Sequence, residues 1–191
     1  MKIYIAASFR QLHAVQLLQR SLALELPDIQ ILDWTGLAMP PADLTPAQRR
    51  QWMDTDHGGE VFAFCEEACG RADLLIYVGQ SGQDAGVEVG LARAAGVPVL
   101  GILGPLEAPG LMLYGAVTLW TRTVEDACER IATLVSCPWR ASPQAQWCAS
   151  CPSEKICNMA PTMPDLAQPP AQARRQAGPG GTSREGKNHE Q

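Results

Sequence analysis

The chain has 191 residues, 46% of them hydrophobic, and a formal net charge of −5; this suffices for one domain with its own core and is short for two. No apolar run is long enough to cross a bilayer, and Met1–Ala6 is too short for a signal h-region, so the expected compartment is the cytoplasm. Residues 1–136 carry 9 Lys/Arg against 16 Asp/Glu and residues 137–191 carry 6 against 4; an acidic body argues against a nucleic-acid partner and for a small substrate.

In chain order, Lys2–Ala6 is an apolar, β-rich run and reads as a first strand. Gln11–Leu26 places Leu12, Val15, Leu18, Leu22 and Leu26 at helical spacing. Ile29–Trp34 reads as a second strand and Thr35–Pro46 as a loop. Thr45 is a suitable N-cap for a helix over Pro46–Asp54, with proline at its first position. Gly58–Ala72 reads as a helix and Asp73–Val78 as a third strand. A helix over Asp84–Ala95, capped by Asp84 and ended by Gly96, precedes a fourth strand over Val97–Leu103. Gly104–Met112 reads as a loop, Val117–Trp120 as a short fifth strand and Thr123–Ser136 as a last helix. Strands that are apolar throughout, such as Leu74–Val78, suit a parallel sheet covered on both faces. The expected fold is α/β, a doubly wound, mainly parallel, Rossmann-like sheet over residues 1–136. A Cys-rich segment follows over 137–158, and then a tail over 159–191 too poor in large apolar residues to fold. In such sheets ligands bind beyond the carboxyl ends of the strands, which selects the loops Ala7–Arg10, Gly79–Asp84 and Gly104–Met112.

The segment from Gly79 to Gly90 follows a strand and opens a helix. Its glycine spacing is not that of a dinucleotide fingerprint, and no Lys-Ser/Thr follows to make it a P-loop. What remains is a Gly-rich turn followed by Glu88, among the small residues Ala85, Gly86, Gly90 and Ala92. Small neighbours leave a crevice in which a carboxylate can meet a ligand, and a helix N-terminus favours its ionised form. The bland reading is an acid that merely complements the helix dipole.

The order of three pieces resembles the nucleoside 2-deoxyribosyltransferase family, with its related deoxynucleotide N-glycosidases, over about residues 1–120. The pieces are Met1–Arg10, Ala72–Ile76, and Gly86-Val87-Glu88-Val89-Gly90-Leu91-Ala92 with Gly96–Val99 after it. The resemblance implies that Glu88 is a nucleophile and that Tyr4 orients it. It implies that Ser8, Phe9 and Arg10 form a loop that contacts sugar or 5′-phosphate, with Gly82 and Gly86 also at the substrate. It implies cleavage or transfer of an N-glycosidic bond of a nucleoside or nucleotide through a covalent glycosyl–enzyme, with no cofactor. A nucleotide-sensing module that keeps the pocket without turnover is the alternative. The family's acid upstream of the third strand is replaced here by Phe64-Cys65-Glu66-Glu67, so Glu66, Asp56 or Asp54 are the candidate substitutes. Asp84 stands between an acid role and a helix cap, and Asp73 between a catalytic and a structural one. His57, beside Gly58-Gly59, reads as a loop histidine rather than a base. Leu111–Gly115 resembles a segment that reaches a neighbouring subunit's site, which implies a homo-oligomer with Met112 near substrate.

Cys137, Cys148, Cys151 and Cys157 cluster beside Trp139 and Trp147. In an intracellular chain such a cluster reads as a metal centre before disulfides. Four thiolates suit zinc or a [4Fe–4S] cluster, and free thiols remain the third reading.

Overall fold

The computed structural model describes residues 1–137; the expectations for Cys148, Cys151, Cys157 and the tail lie outside them. The apolar run Lys2–Ala6 forms β1, which a short 3₁₀ turn, Phe9–Gln11, links to α1, Leu12–Glu25. Then come β2 (Gln30–Leu32), α2 (Pro46–Met53), α3 (Asp56–Arg71), β3 (Leu74–Val78) and α4 (Gln83–Ala94). The chain continues through β4 (Val99–Ile102), α5 (Leu111–Ala116), β5 (Leu119–Thr121) and α6 (Val124–Ser136). All five strands are parallel, in the order β2-β1-β3-β4-β5. After β1 the chain winds one way to β2, then returns across the sheet to β3. Right-handed crossovers therefore put helices on both faces. α1 packs with α6 on one face, and α3, α4 and α5 pack side by side on the other. The expected doubly wound α/β fold is thus observed. Every residue of β3 is buried, as a central strand covered on both faces requires. The reversal of strand order lies between β1 and β3, where this class of sheet opens a crevice.

Several boundaries differ from the sequence reading. β2 stops at Leu32, not Trp34. Asp33 Oδ1 accepts the backbone N–H and the hydroxyl of Thr35, turning the chain. Trp34 folds back into the core, its indole N–H donating to the Ile5 carbonyl at 2.7 Å. α3 starts at Asp56 because the Thr55 hydroxyl caps the Gly58 N–H. α2 has the expected Thr45 cap, completed by Gln48 into a capping box. α4 starts at Gln83 with Gly82 as its N-cap, so Asp84 is not the cap but an exposed residue of the first turn. The segment after Pro109-Gly110 is a short helix rather than a loop. Its Leu113 packs against the core and its Tyr114 ring stacks on Trp120.

Candidate active site

Tyr4 and Glu88 meet across the face that α3 and α4 cover. Alternation along β1 turns Ile3 and Ile5 to one face, and Tyr4 with Ala6 to the other. α4 crosses that second face and presents Glu88, the sixth residue of the helix, to it. The Tyr4 hydroxyl donates to Glu88 Oε1 at 2.7 Å. Tyr4 is fully buried and Glu88 largely so.

Burial pushes the Glu88 carboxyl up to about 7; the Tyr4 hydrogen bond opposes the shift, and the charge of Asp84 adds to it. The sequence expectation was that the helix N-terminus would favour the ionised form. Glu88 sits in the second turn, beyond the strongest part of the dipole, and desolvation prevails. Burial and the neighbouring Glu88 also hold the Tyr4 hydroxyl protonated, so it remains a donor. Oε1 is thereby occupied by Tyr4. Oε2 is buried and has no hydrogen-bond partner.

Ser8 and Ser81 join the loops that follow β1 and β3. The Ser8 backbone N–H donates to Ser81 Oγ at 3.0 Å, and Ser81 Oγ donates in turn to the Val78 carbonyl. Ser8 Oγ is buried without a partner. Phe9 is 39% exposed and packs edge-on against Trp34, with ring centroids 5.1 Å apart. Arg10 is exposed in the 3₁₀ turn beside it. Gly82 is exposed at the head of α4, and a Cβ on Gly86 would meet nothing within 4 Å.

The other sequence candidates fall elsewhere. Asp73 stands at the amino edge of β3, where its carboxylate accepts the Lys2 backbone N–H at 2.7 Å. That is the sheet edge opposite Ser8 and Ser81, so Asp73 ties β3 to β1 and is not part of the crevice. Met112 is 85% exposed on α5. Of the residues expected to replace the family's upstream acid, Glu66, Asp56 and Asp54 are all exposed. From that stretch it is the Cys65 thiol that reaches the Tyr4 hydroxyl. Burial raises the Cys65 thiol, the Tyr4 hydrogen bond opposes this, and the nearby Glu88 and Asp84 charges add to the rise, so it stays protonated. His57 bonds the Leu37 carbonyl at 3.1 Å and meets Trp52 edge-on, which is a loop anchor. Cys137 directly follows α6 and is partly buried. Among the described residues no group of three or more His, Cys, Asp or Glu is placed to hold a metal.

Sequence reasoning missed Ser81, Cys65 and Trp34. Each acts through a partner distant in the chain, and no local spacing announces that.

No family model matches the sequence, and no curated protein matches it. Solved structures do. A conserved protein from Enterococcus faecalis V583 superimposes with a TM-score of 0.52 at 18% identity, covering 68% of this chain and 95% of that one. A 2-deoxyribosyltransferase from Bacillus psychrosaccharolyticus gives 0.48 at 18% identity, covering 66% and 90%. A CMP N-glycosidase from Clostridium botulinum gives 0.43 at 13% identity, covering 69% and 98%. What this chain shares with the Enterococcus protein is the fold, a doubly wound parallel sheet.

Proposed function

We propose that the chain cleaves or transfers the N-glycosidic bond of a nucleoside or nucleotide, with Glu88 as nucleophile. Among the described residues only two buried side-chain polar atoms lack a partner, Ser8 Oγ and Glu88 Oε2. Ser8 follows β1, and Glu88 is held by Tyr4 of the same strand. Native proteins leave few such atoms unsatisfied, and a catalytic or binding role is one reason for those that remain. Here one is a hydroxyl suited to sugar or phosphate oxygen, and the other is a carboxylate oxygen suited to an electron-poor carbon.

The arrangement supports the following chemistry. Tyr4 anchors Oε1, which leaves Oε2 to attack the anomeric carbon of a pentosyl group. The C–N bond to the base breaks as the ester forms, and the departing base takes a proton. The transition state is oxocarbenium-like, so the adjacent carboxylate charge stabilises it. Water or a second base then resolves the ester. Asp84, one turn before Glu88 and exposed, is the candidate for a sugar-hydroxyl contact, and the departing base takes its proton from water. Phe9, Ser8 and Arg10 line the sugar or phosphate end, with Gly82 and Gly86 leaving room beside them. The missing upstream acid, with Phe64-Cys65-Glu66-Glu67 in its place, is what favours the rival reading, a nucleotide-binding module without turnover.

One panel separates these readings. Nucleosides and their 5′-monophosphates are incubated with the protein, and free base is measured by chromatography. Turnover is expected, with monophosphates preferred. Glu88→Gln keeps the volume and removes the nucleophilic charge, so it should lower kcat by about 10³-fold or more in a folded protein. A well-folded Glu88→Gln protein with near-normal activity would rule out the glycosyl–enzyme. Binding without release of base would favour the sensing module.

The outward side chains of α5 pack against a second copy. Cys137, Cys148, Cys151 and Cys157 hold one zinc ion or iron–sulfur cluster apart from the glycosyl chemistry, a reading supported by their spacing.

A further inference from the structure

A second tyrosine–glutamate pair lies one strand away from the first. Tyr77 on β3 is paired with Ala6 on β1, so its side chain shares the face of Tyr4. Its hydroxyl donates to Glu107 Oε1 at 2.6 Å. Glu107 follows β4, and its other oxygen, Oε2, accepts the Gly104 backbone N–H at 3.1 Å. Both carboxylate oxygens are thus used, one by a side chain of β3 and one by the loop after β4. The Tyr77 oxygen in turn faces the Ser81 backbone N–H at 3.4 Å. Ser81 carries the Ser8 N–H on its hydroxyl. A continuous line of contacts therefore runs from Glu107 through Tyr77 and Ser81 to Ser8. Burial and the Glu107 bond keep the Tyr77 hydroxyl protonated, so the line does not break by its ionisation near neutral pH.

The surrounding backbone is shaped to this carboxylate. A Cβ on Gly79 would fall 1.8 Å from Glu107 Oε2 and 2.9 Å from the Gly104 nitrogen. Glycine at 79 thus lets the turn after β3 close directly onto the loop after β4. Trp120 meets the Tyr77 ring edge-on, with centroids 6.0 Å apart, and limits its movement.

Nothing in this arrangement places Glu107 on a reacting atom. Resting on the reading that Ser8 meets substrate, we propose that Glu107 is a positioning residue. It joins the loops after β3 and β4 and, through Tyr77 and Ser81, fixes the Ser8 loop that receives the sugar–phosphate end. Glu107→Ala removes both acceptors, whereas glutamine can keep both contacts if the Tyr77 hydroxyl turns to accept from its amide. Tyr77→Phe removes the shared hydroxyl from the same line.

The test uses the full-length protein and reads position without substrate first. Amide hydrogen exchange at Ser8 and Ser81 should quicken by about tenfold in Glu107→Ala and in Tyr77→Phe, the effect of losing one hydrogen bond's worth of protection. Amides of β1 and α1 serve as the control and should be unchanged. In turnover, both variants should raise KM for 5′-monophosphates by about tenfold with a smaller change in kcat, and the double variant should be no worse than the poorer single, since all act in one line. Unchanged exchange at Ser8 and Ser81, or a uniform rise across the sheet, would overturn the proposal and leave Glu107 as a stabiliser of the fold. So would a KM that falls for monophosphates alone, which would make Glu107 an electrostatic repeller. If exchange changes as expected but the wild-type protein releases no base, the positioning stands and the glycosidic reading fails.

Discussion

Glu88 shows how a single side chain can carry two opposed requirements. As a nucleophile it must be ionised, yet it is buried enough to rise to about 7. The rate should therefore climb with pH on an acid limb centred near that value, since only the carboxylate attacks. Tyr4 opposes the shift by donating to Oε1. Tyr4→Phe should move the acid limb of kcat/KM to higher pH and lower the plateau, and a pH–rate profile measures both. Stability runs the other way. A carboxyl whose folded value lies above its ordinary 4.5 favours the fold most when protonated, and that contribution is lost as pH rises through about 7. Glu88→Gln should be free of this loss, so the difference in melting temperature between it and the wild type should widen from pH 4.5 to 7. The contact between Glu88 and Tyr4 was legible only through the family resemblance, since an acid near a helix start and a tyrosine in a strand are each ordinary by themselves. Ser81 and Cys65 were not, because nothing beside them in the chain hints at Ser8 or Tyr4. Asp73 misled for the converse reason: an acid at the start of a strand has the same local appearance whichever edge of the sheet holds the site.

Among the elements, the long periodic ones were readable and the short ones were not. β1 and β3 needed only their apolar runs. α6 needed only its apolar stripe and Thr123, whose hydroxyl caps the Asp126 N–H. The six-residue α5 has too few turns to show a period, and it is held by what it touches: Leu113 in the core and Tyr114 against Trp120. The same Trp120 sets a demand on β4. A Cβ on Gly101 would come 2.4 Å from the indole ring and 2.9 Å from Val117 Cγ1. Gly101→Ala should therefore destabilise the protein by about 2 kcal/mol through overpacking. A lower denaturant midpoint at unchanged slope would register it. A neutral result would mean that Trp120 can swing aside without loss.

At the scale of the molecule, three adjoining helices leave apolar side chains outward: Phe62 on α3, Val87 on α4, and Leu111 and Met112 on α5, the last two 86% and 85% exposed. Exposed apolar side chains on adjoining helices are a surface that a partner can cover, and a two-fold dimer would do so most simply. Light scattering at micromolar concentration should give a multiple of the 20.6 kDa chain mass; a monomer would reject the shared surface. Metal analysis of anaerobically purified protein should find about one zinc or one iron–sulfur cluster per chain, and Cys151→Ser should lose it while turnover persists. Finding neither iron nor zinc would leave the cysteines as ordinary thiols. The strand order also bears on when the site can come into being. Tyr4 and Glu88 are 84 residues apart in sequence, and β1 sits between β2 and β3 rather than at an edge. During synthesis β1 emerges first, yet it lacks one of its two neighbours until β3 has been made, and Tyr4 lacks its acid until α4 follows. Whatever chemistry the protein performs is therefore closed to a ribosome-bound chain that has not passed α4, even one in which the first strand and helix are already in place.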